Sequence, residues 1–190
     1  EGFATNFPSS YVPPVGPGLW VPTAPGFQSA LQPFWGSNRP LALEEGSAAD
    51  PGAPPPFSTT PGSVFHTQAL EVYDTVNNLT PGQLAIANWW ADGGGTYTPP
   101  GHSMAITRIA LVQTAAKLDK AATAYAAVGV SVADAFISCW HAKYKYNLMR
   151  PLTYVLANID SGWTIPLATP PFPEYTSGHS VQSGASAEVL

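Results

Sequence analysis

Two cationic side chains that lie seven residues apart in this sequence could together bind an anion. Lys143 and Arg150 precede Pro151, which we expect to end a helix. At about 100° per residue, one helical face carries both cations and two aromatic rings: Phe136, Trp140, Lys143, Asn147 and Arg150. Long cationic side chains on such a face can converge on one anion. The alternative is that both are surface cations with buried stems, and that Arg150 only compensates the last carbonyls of its helix.

The tripeptide Ser177-Gly178-His179 could bind such an anion from a second element. A serine and a glycine at a helix start offer a hydroxyl and free backbone N–H groups to an oxyanion. Gly178 lets the backbone approach the anion because no Cβ intervenes. His179 could give or take a proton near neutral pH. The alternative is an ordinary serine-capped helix with an exposed histidine.

Helices must position these residues, because apolar side chains recur at helical spacing from residue 63 onwards. Thr80-Pro81-Gly82-Gln83 is typical of a helix start with a capping box. We expect a joint near Asp119, a helix end at Gly129 and a new helix capped by Ser131. The predicted helices cover residues 63–78, 80–91, 102–128 and 132–149, with a long loop over 151–178 and a last helix from 177–180 onwards. No alternation typical of strands is visible, so the sequence predicts an all-α fold.

The N-terminal third of the chain has a different composition. Residues 1–65 hold 13 of the 21 prolines. Eight aromatic residues are interleaved with them: Phe3, Phe7, Tyr11, Trp20, Phe27, Phe34, Trp35 and Phe57. We therefore expect an extended arm over residues 1–62 that buries its rings against a helical domain over residues 63–190, a domain incomplete at its C-terminus. A disordered tail is the alternative.

Charge and composition exclude several classes of function. A net charge of -5 and the lack of a basic tract argue against a nucleic-acid partner. The longest apolar windows are interrupted by polar residues, so we expect no membrane span. The single cysteine, Cys139, excludes an internal disulfide framework and a cysteine-based zinc site. The chain begins with Glu1 instead of methionine, so we expect a processed or truncated chain.

Lys143-x6-Arg150-Pro151 followed by Ser177-Gly178-His179 resembles the first two signature motifs of the vanadium-dependent haloperoxidase and type 2 phosphatidic acid phosphatase superfamily. The segments 140–147 and 172–175 are similar to the bacterial haloperoxidase-like branch. The resemblance covers residues 60–190 well and the arm more loosely. It implies a helical bundle of the vanadium haloperoxidase type.

The resemblance also implies roles for individual residues. Lys143 and Arg150 would hold the oxygens of vanadate, or of phosphate in the same site. Ser177 would donate its hydroxyl and Gly178 its backbone N–H to that oxyanion. His179 would be the acid–base residue, and with Lys143 it forms the implied catalytic set. Trp140 and Phe172 match aromatic positions that line a halide pocket in the family.

Two departures from the family pattern stand out. Thr176 replaces the proline that usually precedes Ser-Gly-His. The third motif, Ser-Arg with a later histidine, is absent before Leu190. That histidine is the axial vanadium ligand in the peroxidases and the nucleophile in the phosphatases. The resemblance therefore implies half a site, with no metal ligand in this chain. We expect the other half on a second polypeptide from a cleaved precursor, or lost.

Three functions remain open from the sequence. The first is a vanadate-dependent haloperoxidase that oxidises a halide with hydrogen peroxide to hypohalous acid and is active only with the missing C-terminal part. The second is an acid phosphatase of the same superfamily, and the third is a non-catalytic secreted helical protein. We expect a secreted or periplasmic location. The halide, the organic substrate and the oligomeric state, a homo-oligomer included, stay open.

Overall fold

A computed structural model describes residues 10–190, and the first nine residues, with Phe3 and Phe7 of the predicted arm, lie outside the described residues. Residues 10–190 form helices and connecting segments without a β-strand, so the predicted all-α class is confirmed. The six α-helices are α1 (Val64–Asn77), α2 (Pro81–Trp90), α3 (Thr98–Gln113), α4 (Leu118–Tyr146), α5 (Pro151–Asn158) and α6 (Gly178–Val189). A 3-10 turn at Trp35–Ser37 precedes them.

The first two helices begin where their capping residues predict. Ser63 caps α1 by accepting a hydrogen bond from the backbone N–H of His66. Thr80 and Gln83 form the predicted reciprocal capping box of α2, with Pro81 in its first turn. These ends depend on local sequence alone, which explains why they were predictable.

The predicted helix break at Gly129 is wrong. The chain breaks earlier, between α3 and α4, and α4 continues without interruption through Gly129 and Ser131. A Cβ on Gly129 would lie 3.4 Å from Cε of Met104 in α3, so this glycine allows two helices to approach closely. The Ser131 hydroxyl donates to the carbonyl of Val128 inside the helix and caps nothing.

The connection after α4 also differs from the prediction. Asn147 ends the helix in the left-handed conformation with φ 47°, so Arg150 does not lie on the α4 face. Arg150 is instead the N-cap position of α5, whose first residue is Pro151. The loop predicted after Pro151 is therefore wrong over residues 151–158, because proline can end a helix but is also favourable at the first helical position.

Helix α4 lies at the centre of the fold and contacts α3, α6 and the 3-10 turn, while α1 packs on α5. By length and composition α4 could cross a membrane, contrary to what its polar interruptions indicated. Its second half is buried in this molecule and includes the charged side chains Asp134 and Lys143. Such buried charges need partners within the protein.

The described part of the N-terminal segment, residues 10–62, contains no α-helix and runs across α4. Trp20 is fully buried, whereas Phe27 is 65% exposed. The backbone N–H groups of residues 41–43 donate to the carboxylate of Asp134 at 2.7–2.9 Å. At Gly36 the segment lies so close to α4 that a Cβ would come within 2.4 Å of the backbone nitrogen of His141.

Candidate functional site

Both predicted anion-binding cations donate hydrogen bonds to residues 170–174. Lys143, near the end of α4, is 1% exposed. Its Nζ donates to the carbonyl oxygens of Pro173 and Glu174, each at 2.9 Å. Two of its three N–H donors are thus used, and one remains for a ligand.

Lys143 is a buried cation without an ion pair among the described residues. Burial lowers the pKa of Lys143 from 10.5 to about 8, because the charged form loses hydration. Nearby Arg150 lowers this pKa further, whereas Glu174 raises it. A bound anion would supply the missing opposite charge.

Arg150 reaches the same segment from the N-terminus of α5. Its Nε donates to the carbonyl of Phe172 at 2.6 Å, and one terminal nitrogen donates to the carbonyl of Pro170 at 3.2 Å. The other terminal nitrogen donates to Oε2 of Glu174 at 2.6 Å. Three of the five guanidinium N–H groups are engaged, so two remain for a ligand. The Arg150–Glu174 pair also borders a cavity of about 180 Å³.

The aromatic ring of Phe172 lies under both cations. Lys143 Nζ is 4.9 Å and the Arg150 Cζ 4.7 Å from the centre of this ring, within cation–π range. Trp140 packs against Phe172 with ring centres 5.0 Å apart. The structure therefore brings together both predicted cations and both predicted pocket aromatics.

The helix start at Ser177 faces the same aromatic cluster. Ser177 is the N-cap of α6, and its hydroxyl oxygen accepts from the backbone N–H of Ser180 at 3.2 Å. A Cβ on Gly178 would lie 3.7 Å from the Trp140 ring and 3.9 Å from the Phe136 ring. Gly178 therefore lies against the rings of Trp140 and Phe136.

His179 and Ser177 are exposed. Within residues 10–190, no hydrogen bond joins either of them to Lys143 or Arg150. Trp140 is the ring that both elements contact, because Lys143 Nζ lies 5.8 Å from its centre and Gly178 packs against it. The other lysine near the end of α4, Lys145, is exposed and pairs with Asp50.

The donor set fits an oxyanion. Lys143 and Arg150 keep three free N–H donors, and the Ser177 hydroxyl proton has no acceptor within the described part of the chain. The first turn of α6 adds backbone N–H groups and a positive helix end. All of these groups are donors to oxygen and none is a metal ligand. No cluster of three histidine, cysteine or acidic side chains that could hold a metal ion is found in residues 10–190.

Two residues of this site had no assigned role in the sequence analysis. Glu174 binds Arg150 through its side chain, and its place as the one acid in a proline-rich segment was a usable signal. Leu31 donates its N–H to the carbonyl of Pro171 at 2.8 Å. The Leu31 carbonyl accepts from the Tyr144 hydroxyl at 2.6 Å and from Trp140 Nε1 at 3.4 Å. All of these contacts are made by the backbone of Leu31, so the pattern of side chains in the sequence does not reveal them.

Comparison with known proteins gives a family-model match and a structural match. The family model described as "VCPO second helical-bundle domain" matches residues 123–161, a range that includes Trp140, Lys143 and Arg150. A crystal structure of a protein described as the first bacterial vanadium-dependent iodoperoxidase matches with a TM-score of 0.91 and 38% sequence identity. That match covers 99% of this chain and 48% of the other chain, so this chain spans about half the length of the other. No curated protein matches the sequence.

Proposed function

We propose, from the premise that this chain belongs to the vanadium haloperoxidase superfamily, that it carries the first two oxyanion-binding elements of a vanadate-dependent haloperoxidase. Such an enzyme oxidises a halide with hydrogen peroxide to hypohalous acid. One observation carries the proposal. Lys143 is a fully buried cation without an acidic partner among the described residues, it shares the Phe172 ring with the buried Arg150, and it shares the Trp140 ring with Gly178 at the start of α6.

The residues of this chain would neutralise the bound oxyanion, orient it or transfer a proton to or from it. Lys143 and Arg150 would neutralise its negative oxygens in a buried site, where hydrogen bonds from charged donors are strongest. Ser177 and Gly178 would orient it through a hydroxyl and a backbone N–H. Bound vanadate would supply Lewis acidity toward hydrogen peroxide.

His179 would transfer the proton. The imidazole is exposed, at the start of α6, and would exchange protons between solvent and the bound oxyanion. The rings of Trp140 and Phe172 would line the pocket that a polarisable halide enters. Because the matched structure is that of an iodoperoxidase, iodide is the first halide to test.

The proposal requires a C-terminal half that completes the domain, on the same or a second polypeptide. A groove between α2 and α3, of about 980 Å³, is lined by large apolar side chains, among them Trp89, Tyr97, Ile106 and Ile109. All four side chains are exposed. A large apolar surface of this kind is typical of an interaction site. We propose that the C-terminal half covers this groove and supplies the third anion-binding motif and its histidine.

The test begins with an intact mass of the purified, undigested protein under denaturing conditions. It shows whether a second polypeptide accompanies this chain. The same protein is then loaded with orthovanadate and assayed with hydrogen peroxide and iodide, bromide or chloride in turn. Halide oxidation that is lost in Lys143→Met and in His179→Ala is expected.

Two results would overturn the proposal. Hydrolysis of nitrophenyl phosphate without any halide oxidation would assign the protein to the phosphatases, which use the same oxyanion donors. Absence of both activities in a preparation shown to contain the C-terminal half would support a non-catalytic protein.

A further inference from the structure

The carboxylate of Glu174 is the only acidic group that pairs with either site cation within the described part of the chain. It lies at the surface of the site, with its side chain 37% exposed, whereas the Arg150 side chain is 9% exposed. An anion approaching the free donors of Arg150 therefore meets a resident negative charge on the same guanidinium.

The backbone of Glu174 is fixed at both ends. Its N–H donates to the carbonyl of Leu148 at 2.9 Å, and its own carbonyl accepts from Lys143 Nζ. The residue thus contacts one cation through its backbone and the other through its side chain. Removing the side-chain charge leaves the backbone contacts in place, so charge and position can be separated by mutation.

The two cations and this carboxylate carry a net charge of plus one. Electrostatic attraction or repulsion scales with the charge of the incoming anion, so a fixed carboxylate opposes a dianion about twice as strongly as a monoanion. Orthovanadate is largely a monoanion at neutral pH, whereas much of inorganic phosphate is a dianion. The carboxylate therefore reduces the electrostatic advantage that a dianion has over a monoanion of the same shape.

We propose that Glu174 is a specificity-determining residue that shifts the preference of this site from divalent towards monovalent tetrahedral oxyanions. The inference rests on the proposed function, because it assumes that Lys143 and Arg150 bind an oxyanion. It gives a physical basis for choosing vanadate over phosphate at a site whose hydrogen-bond donors suit both.

The test compares the binding of perrhenate and sulfate by isothermal titration calorimetry. Both are tetrahedral, and their charges, minus one and minus two, do not change between pH 6 and 9. The purified protein is used with any second polypeptide retained. Glu174→Gln keeps an oxygen acceptor for Arg150 but removes the charge. It is expected to strengthen perrhenate binding about fivefold and sulfate binding by about the square of that factor, about 25-fold.

Two control variants complete the comparison. Glu174→Asp retains the charge and is expected to keep the preference of the wild type. Glu188→Gln makes the same change in net charge about 15 Å further along α6 from Gly178, and should leave both affinities unchanged. An unchanged ratio of the two affinities in Glu174→Gln would overturn the proposal, whether both anions bind equally more weakly or neither changes.

The outcomes also separate this proposal from the proposed function. If the wild type binds neither anion nor orthovanadate, the anion site itself is absent and both proposals fail. If the wild type binds them and Lys143→Met abolishes binding, while Glu174→Gln leaves the ratio unchanged, only the role of Glu174 is wrong.

Discussion

Lys143 is the residue whose environment carries the most functional information. An ammonium that is 1% exposed would ordinarily be paired with a carboxylate, because a buried charge is unfavourable without compensation. Here its partners are two neutral carbonyl groups and two aromatic faces. These partners orient the ammonium group but do not neutralise it, which leaves its charge available to an anion.

The pH dependence of anion binding should follow the protonation of Lys143. Its pKa is lowered to about 8 by burial, with Arg150 lowering it further and Cys139 and Glu174 opposing the shift. Only the protonated form attracts an anion, so sulfate affinity should fall about tenfold for each pH unit above 8. Titration calorimetry at several pH values measures this fall.

The Lys145→Met variant is the control for that titration. Lys145 is exposed and pairs with Asp50, so its loss should not move the midpoint. Sulfate affinity that stays constant up to pH 10 would show that Lys143 is not the titrating group. Below pH 8 the buried charge also destabilises the folded state, and this effect disappears as the pH rises towards 10.5, where the unfolded chain releases the same proton.

At the scale of elements, the N-terminal segment is bound to α4 by one buried carboxylate. Asp134 is 4% exposed and accepts three backbone N–H groups from residues 41–43. Burial alone would raise the pKa of Asp134, but the three donors outweigh burial and lower it. The segment and the long helix are therefore stabilised together.

Asp134→Asn should loosen this attachment. The amide replaces one acceptor oxygen by a donor that faces backbone N–H groups, so we expect a loss of about 1–3 kcal/mol in the free energy of unfolding. Urea unfolding measures the loss, and limited proteolysis within residues 38–50 should become faster. Asp74→Asn, on the exposed side of α1, is the matched control and should change neither.

The free energy of unfolding of the wild type should decrease as the pH falls through the acid range, because Asp134 becomes protonated. Because the folded-state pKa of Asp134 is depressed, its contribution is present above the ordinary pKa of 3.8 and is lost as the pH falls below that value. In Asp134→Asn this part of the acid dependence should be absent. An identical acid profile in both proteins would contradict the assigned role.

Gly36 is the second point of close contact between the segment and α4. A methyl group there would lie 2.4 Å from the backbone nitrogen of His141. The backbone of a helix cannot move aside to relieve this clash, whereas a side chain could change its rotamer. Gly36→Ala should therefore destabilise the protein by about 2–3 kcal/mol in urea unfolding. Gly82→Ala, in α2 with open space around it, should instead stabilise by roughly 0.5–1 kcal/mol. Equal effects of the two variants would show that the segment is not packed at Gly36.

At the scale of the whole molecule, the apolar groove between α2 and α3 distinguishes this half-length chain from a closed domain. Trp89 is 70% and Ile109 52% exposed, although both lie on helices with mostly apolar sequences. Exposed helices of a closed domain normally turn polar faces outward. The groove therefore matches the proposal that a C-terminal half packs there.

Ile109→Glu tests that packing in the complete protein. If the groove is covered, the new carboxylate is buried without a partner, and the free energy of unfolding should fall by about 3 kcal/mol. Val15→Glu, at a position 95% exposed in the N-terminal segment, should have no effect. Calorimetric thermal unfolding measures both. A melting temperature unchanged by Ile109→Glu would show that the groove faces solvent.

Features that depend on local chemistry could be predicted from the order of the amino acids. The capping residues set the starts of α1, α2 and α6, and apolar periodicity identified the all-α class. The spacing of Lys143, Arg150 and Ser177-Gly178-His179 identified the candidate site. These signals lie within a few residues of one another or in one pattern along the chain, so no knowledge of packing was needed to read them.

The contacts that those residues make depend on packing between distant parts of the chain and could not be predicted. Gly129 looked like a helix end, but its closeness to Met104 shows that it serves packing between α3 and α4. Pro151 was predicted to end a helix, yet it is the first residue of α5. Arg150, the N-cap of that helix, binds segment 170–174. Glycine and proline are each compatible with several backbone conformations, and contacts with residues distant in sequence determine which one is adopted. The same holds for Glu174, whose pairing with Arg150 exists only because the chain folds back across 24 residues.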